Sequence, residues 1–241
     1  MRTIIWFLYF WLYLIAVLPE YRKVKKLEQE GRIAEHDERV RRAVGRWANS
    51  LLHLAGAKIT TEGKENIPQG PVVFVGNHQG YFDIPLMITQ LDKPNPLIAK
   101  KEIQKIPMIR SWMEQLRCIF LDREDPRQSM DSLKQAQELL KQGYSVVIFP
   151  EGTRNNGKEL GEFKAGAIRI ATRTGVPIVP VCIEGSCRLM GKGSLWIHPA
   201  KVTIKILPAV QTEGLSREQV KALPEQLREQ IDTQLRTMRN E

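Results

Sequence analysis

Cysteine is scarce in this sequence: Cys118, Cys182 and Cys187 are the only three in 241 residues. The number is odd and no C-x-x-C pair occurs, which argues against a disulfide framework or a thiolate metal site. The cysteines read as reduced, mostly buried thiols of a cytosol-facing protein. Acidic residues are also in deficit, 27 against 36 Lys and Arg, for a formal net charge of +9. That excess favours nucleic acid, anionic lipid or phosphorylated substrates as partners. Zinc-finger spacing, aromatic RNA-binding signatures and basic low-complexity tails are missing, which points away from nucleic acid and towards lipid or phosphate. No G-x-S-x-G supplies a serine nucleophile. His36, His53 and His198 lack the paired spacing of a metal motif, so no metal site is expected.

Long apolar runs are absent too, with one exception. Residues 4–18, IIWFLYFWLYLIAVL, are uncharged and end at Pro19. As a helix this run extends roughly 22 Å, short of the roughly 30 Å of bilayer hydrocarbon. Trp6, Tyr9, Trp11 and Tyr13 suit interfacial depth, where amphipathic rings settle. Arg2 alone makes a thin signal-peptide n-region, and no small-residue cleavage site follows. The next stretch, YRKVKKLEQEGRIAEHDERVRRAVGR, is dense in Lys and Arg, a bias that marks the cytoplasmic side. Val40, Val44, Trp47, Leu51 and Leu54 recur at helical spacing, with Arg42, Arg46, Asn49 and His53 on another face. Residues 1–56 thus read as a two-helix docking motif in one leaflet at the cytoplasmic face of the membrane. The competing reading packs both helices on the main domain.

From about residue 58 short β-branched runs alternate with helical stretches. Strands are expected at 58–61, 72–75, 96–99, 118–121, 145–149, 178–183 and 201–207, with helices over 129–142 and 163–174 that stop at Gly143 and Gly175. The run VVIF has no polar alternation, as when helices cover both sheet faces. Residues 57–241 therefore read as an α/β domain whose central, largely parallel sheet is flanked by helices. VPIVPVCI, with two prolines, reads as an irregular or edge strand. The tail from Ser216 reads as a solvated helix pair broken at Pro224, with Ser216 and Gln219 at capping-box spacing.

Sites in such sheets gather at the C-terminal ends of strands. There NHQGYFD, residues 77–83, sets His78 five residues before Asp83. A bend through Gln79–Gly80 brings the carboxylate back to the imidazole, with Asp83 as N-cap of the following helix and Pro85 in its first turn. Such a pair is a general base with an orienting acid, or simply a turn and a helix cap. FPEGTR, residues 149–154, follows another buried strand. Gly152 allows close backbone approach, Thr153 offers a hydroxyl and Arg154 a fork suited to phosphate, although a loop arginine is more often a surface residue. In CIFLDRED, Asp122 and Arg123 follow a strand and pair equally well on a surface.

Taken in order, NHQGYFD, CIFLDR, FPEGTR and VPIVPV resemble the four blocks of the glycerolipid acyltransferase family, over roughly residues 70–183. Lys100 in IAKKEI and FKAGA at 163–167 match the blocks' surroundings. Length and FPEGTR point, within it, to the bacterial 1-acylglycerol-3-phosphate acyltransferases. The resemblance implies transfer of an acyl group from acyl-CoA or acyl carrier protein to the sn-2 hydroxyl of lysophosphatidic acid, giving phosphatidic acid. His78 and Asp83 would be catalytic, and no metal or bound cofactor would be needed. Lys100, Arg123 and Arg154 would hold the acceptor phosphate, and Glu151, Gly152 and Thr153 would shape its pocket. Two positions depart from the pattern: Gly80 stands where many relatives have Ser, and Arg117 where the second block often begins with Gly. A sister acyltransferase for glycerol 3-phosphate or another lysolipid, a phosphate-ester hydrolase and a non-catalytic lipid-binding module are the alternatives.

Overall fold

A computed structural model describes residues 1–91, 93, 96–122 and 125–240. The chain begins with three helices, α1 (Arg2–Ala16), α2 (Leu18–Gln29) and α3 (Ile33–Ala55), and Gly56 at φ 78° ends α3 with a left-handed turn. Strands and helices then alternate: β1 (Ala57–Glu62), β2 (Val73–Gly76), α4 (Asp83–Gln90), β3 (Ile98–Lys100), α5 (Pro107–Gln115), β4 (Ile119–Leu121), α6 (Pro126–Lys141) and β5 (Val146–Ile148). The second half adds α7 (Ala165–Thr174), β6 (Ile178–Glu184), the short α8 (Ser186–Met190), β7 (Ala200–Ile206) and α9 (Arg217–Asn240). Each of the seven expected strands has a counterpart, with ends moved by a residue or two.

Five strands pair in the order β1-β7-β6-β2-β5, and only β6 with β7 is antiparallel. β3 and β4 form a parallel pair beside β5, reached through a bridge between Leu97 and Val147. Side-chain alternation sorts the sheet's residues into two cores. Val72, Phe74, Val179 and Val181 face α1, α3 and α4, where Trp6, Leu51, Leu52, Leu86 and Met87 are buried. Val73, Val75, Ile178 and Cys182 face α6, α7 and α9, where Leu140, Ile168, Ile170 and Leu227 are buried. Both faces are covered, which explains the unbroken apolar runs.

Two expectations fail here. β6 is an interior strand despite Pro177 and Pro180. Its neighbour β2 loses nothing, because Pro180 faces the other side: its carbonyl accepts from Leu207 N at 2.9 Å, just beyond the last β6–β7 pair, Val181 with Ile206. A missing N–H there breaks no ladder bond. The tail is one helix rather than a broken pair, and Pro224 lies inside it. Leu223, Leu227, Ile231 and Leu235 repeat every fourth residue and are at most 3% exposed. Burying four such side chains is worth roughly 6–12 kcal/mol, against about 3 kcal/mol for an interior proline. The capping box does form, with Ser216 N donating to Gln219 Oε1 at 2.8 Å.

Of the amino-terminal helices, α1 and α3 share the main core, while Val24 of α2 packs in a smaller cluster with Val40 and Val44. Trp6 is buried, donates Nε1–H to Leu51 O at 2.9 Å and meets the Phe82 ring edge-on at 5.5 Å. The outer face of α1 is different: Ile4, Leu8, Leu12 and Ile15 are each more than half exposed. Among the described residues no single helix is long and apolar enough to cross a membrane, but α1 and α2 pass that test together as a pair bent by 45°.

Candidate active site

β2 ends at Gly76, and the Asn77 side chain takes over its pairing. Asn77 Nδ2 donates to Ile183 O at 2.9 Å and Oδ1 accepts from Ile183 N at 2.8 Å, so the amide continues the ladder with β6. Gln79 is buried against the end of the same strand, Oε1 accepting from Gly185 N and Nε2 donating to Glu184, both at 2.9 Å. Between these two anchors stands His78.

The bend through residues 79–80 brings Asp83 to the imidazole as the sequence requires. His78 Nδ1 lies 2.6 Å from Asp83 Oδ2, and because a carboxylate only accepts, the proton sits on Nδ1. The same oxygen accepts from Gln79 N at 2.6 Å and Gly80 N at 2.9 Å, while the Ser186 hydroxyl donates to Oδ1. Asp83 is thus the first residue of α4 but not its N-cap. Its carboxylate faces back to the preceding turn, and the cap position is Phe82. Negative charge in a first helical turn is still favoured by the helix dipole. The imidazole stacks on Phe149, with centroids 4.2 Å apart, and is one-sixth exposed (16%), which leaves Nε2 as the nitrogen open to a substrate.

Behind the imidazole, Glu151 is buried. Its carboxylate accepts from His78 N at 2.8 Å, Asn155 Nδ2 at 3.0 Å and Gly161 N at 3.0 Å. The turn it starts passes through Gly152 at φ 71°. Arg154 lays its guanidinium over the Tyr81 ring, 3.8 Å from the centroid. The two loops are stitched by Asn155 N donating to His78 O at 2.8 Å and Asn156 N to Gln79 O at 3.2 Å. A base with a held tautomer and a free Nε2, beside an arginine and a hydroxyl, can take a proton from an alcohol near an anionic group.

A profile of the family named Acyltransferase matches residues 58–184, more than half of the chain. This chain belongs to the Acyltransferase family. The crystal structure of the 1-acyl-sn-glycerophosphate (LPA) acyltransferase PlsC from Thermotoga maritima superposes with a TM-score of 0.78 at 28% identity, covering 100% of this chain and 99% of that one. The 1-acyl-sn-glycerol-3-phosphate acyltransferase of Borreliella burgdorferi is 32% identical over 189 residues, 78% of this chain and 76% of that protein. The chloroplastic acyltransferase LPAT1 of Arabidopsis thaliana is 44% identical over 150 residues, which is 61% of this chain but only 42% of the plant protein. The chain thus spans about half the length of some of the relatives it matches.

In this acyltransferase-family chain, His78, Asp83, Glu151, Gly152, Thr153 and Arg154 converge. Lys100 is exposed at the end of β3, on the sheet edge where β2 and β5 also end. Its neighbour Lys101 pairs with Asp122. Arg123 lies outside the described residues. Both departures from the family pattern have local causes. A Cβ on Gly80 would lie 2.9 Å from Met190 O and 3.1 Å from Cys187 Cα, so residues 186–190 pack where a side chain would go. Arg117 sits at φ 59°, a left-handed conformation that glycine adopts freely, and its guanidinium is held by Asp37 at 3.3 Å and the Tyr144 ring. Sequence reasoning missed Asn77, Gln79, Glu184 and Ser186. Ser186 and Glu184 lie about a hundred residues from their partners, and only the position of VPIVPV ahead of them marked the region.

Proposed function

We propose that this protein transfers a fatty acyl group from an acyl thioester to the sn-2 hydroxyl of 1-acyl-glycerol-3-phosphate, giving phosphatidic acid. The observation that carries this reading is the His78–Asp83 pair with Nε2 free, set beside Arg154. His78 Nε2 takes the proton of the acceptor hydroxyl while Asp83 holds the ring and offsets the charge it acquires. The oxygen attacks the thioester carbonyl, the C–S bond breaks as the carbonyl reforms, and the leaving thiolate takes the proton from His78. The reading needs no acyl-enzyme, since the attacking group belongs to the acceptor.

Arg154 is assigned to the acceptor phosphate by a charge-assisted hydrogen bond, with Lys100, at the end of β3, and Arg123 as further candidates. Gly152 and Thr153 shape the loop that receives it, and Glu151 acts from behind by fixing the His78 backbone. The donor is acyl-CoA or acyl carrier protein, both acidic and suited to a basic chain. The exposed apolar face of α1 and the basic α2 dock the enzyme on an anionic leaflet, on its cytoplasmic side, where acceptor and product reside. Purified full chain, given both donors and a panel of lysolipid acceptors, tests the reading beside Asp83→Asn. Preference for lysophosphatidic acid with a large loss in the variant supports it. Equal turnover of glycerol 3-phosphate or of a phosphate-free lysolipid replaces it with a sister reaction.

A further inference from the structure

The segment after α8 runs back over the mouth of the site. Gly191 forms a β-bridge with Gly80, and Tyr81 N donates to Met190 O at 3.2 Å. The next residue is clamped from the other loop. Asn156 Oδ1 accepts from Lys192 N at 2.5 Å, and Asn156 Nδ2 donates to Lys192 O at 3.2 Å. To aim its amide this way Asn156 adopts φ 58°, a left-handed conformation that asparagine tolerates better than most residues. Fastened on both sides, the Lys192 side chain reaches Thr153, with Nζ donating to Oγ1 at 3.1 Å. One position along, the Arg154 guanidinium lies over Tyr81.

Three loops thus gather Tyr81, Thr153, Arg154 and Lys192 beside His78. Among the described residues no carboxylate lies within ion-pair distance of either cation, whereas nearby Arg188 and Arg239 both pair with Glu184. The ammonium has three donors and spends one on Thr153, so two remain. Two unpaired cations held close by a fixed backbone suit a doubly charged anion, whose binding relieves their repulsion. We propose that Lys192 is a second ligand, with Arg154, for the phosphomonoester of the acceptor. This rests on the proposed function for the identity of the acceptor, but the anion site itself does not depend on turnover. No family block contains this lysine, and it enters the site through a contact with a residue 39 positions away.

The test is equilibrium binding of 1-oleoyl-lysophosphatidic acid and of the phosphate-free 1-oleoylglycerol in detergent micelles. Wild type, Lys192→Gln and Lys192→Arg full chains are compared, with turnover of the same lipids measured in parallel. A charge-assisted contact predicts that Lys192→Gln weakens binding of the phosphate lipid about tenfold or more. Binding of 1-oleoylglycerol should be unchanged, and Lys192→Arg should restore the phosphate lipid to within about threefold of wild type. Where turnover is measurable, the loss should lie in acceptor KM with kcat nearly constant. Unchanged binding in Lys192→Gln overturns the assignment, as does an equal loss for both lipids, which would mean a structural role. Lys192-dependent binding without any wild-type turnover would leave the assignment standing and refute the proposed reaction.

Discussion

Glu151 separates two accounts of the FPEGTR loop. If it lines the acceptor pocket, an amide should alter substrate affinity. The structure instead commits its carboxylate to His78 N, Asn155 Nδ2 and Gly161 N, all between 2.8 and 3.0 Å, in a buried setting. Glu151→Gln keeps the shape but supplies one carbonyl oxygen where two acceptors are needed. Either orientation of the amide leaves a backbone N–H, of His78 or of Gly161, facing a donor. Losing one buried charge-assisted bond and weakening another costs about 3 kcal/mol. In a chain of this length that lowers Tm by roughly 6–12 °C. The acceptor behind His78 N is uncharged in one orientation of the amide and lost in the other, so kcat should fall about tenfold or more while acceptor KM stays within about twofold. Thermal unfolding in detergent, read beside steady-state kinetics, gives both numbers. An unchanged Tm with a raised acceptor KM would refute this reasoning and return Glu151 to the pocket.

Three further outcomes are expected. Trp6→Ala removes a buried ring packed on Phe82 and an indole hydrogen bond to Leu51 O, so it should cost about 3–5 kcal/mol in thermal unfolding; an unaltered Tm would show α1 to be a loose anchor. The combined changes Ile4→Glu, Leu8→Glu and Leu12→Glu lie on the exposed face of α1 and should abolish flotation with anionic liposomes while leaving Tm nearly unchanged; retained flotation would place the docking surface elsewhere. Burial pushes the thiols of Cys118 and Cys182 up to about 12, so at pH 8 both stay protonated and shielded. Aromatic disulfide reagents should therefore label the half-buried Cys187 first and the other two only on unfolding, as peptide mapping would show.

The parts of the fold legible in the sequence are those that local chemistry dictates. Apolar runs such as residues 72–75 and 146–148 had to be strands covered on both faces, and Gly143 and Gly175 had to close helices. The NHQGYFD turn was legible for the same reason, because five residues and a glycine suffice to fold Asp83 onto His78. What stayed hidden was decided at long range. Pro180 looked like an edge residue, but which neighbour a proline faces depends on where β7 stops. Pro224 looked like a break, until the stripe of Leu223, Leu227, Ile231 and Leu235 found a sheet to lie on. Ser186 and Lys192 carry no local signature, since their roles follow from loops that chain topology brings together. Glu151 was placed in the right neighbourhood from its motif, while the direction of its carboxylate could be read only from the folded chain.

The central claim is that His78 acts as the general base towards a lysolipid hydroxyl. Formation of phosphatidic acid from lysophosphatidic acid and a radiolabelled acyl thioester, compared between wild type and His78→Ala at matched folding, tests it most directly. General-base catalysis predicts a fall in kcat of about 10²–10⁴-fold with the acceptor still bound. Equal rates for the two proteins would contradict the account.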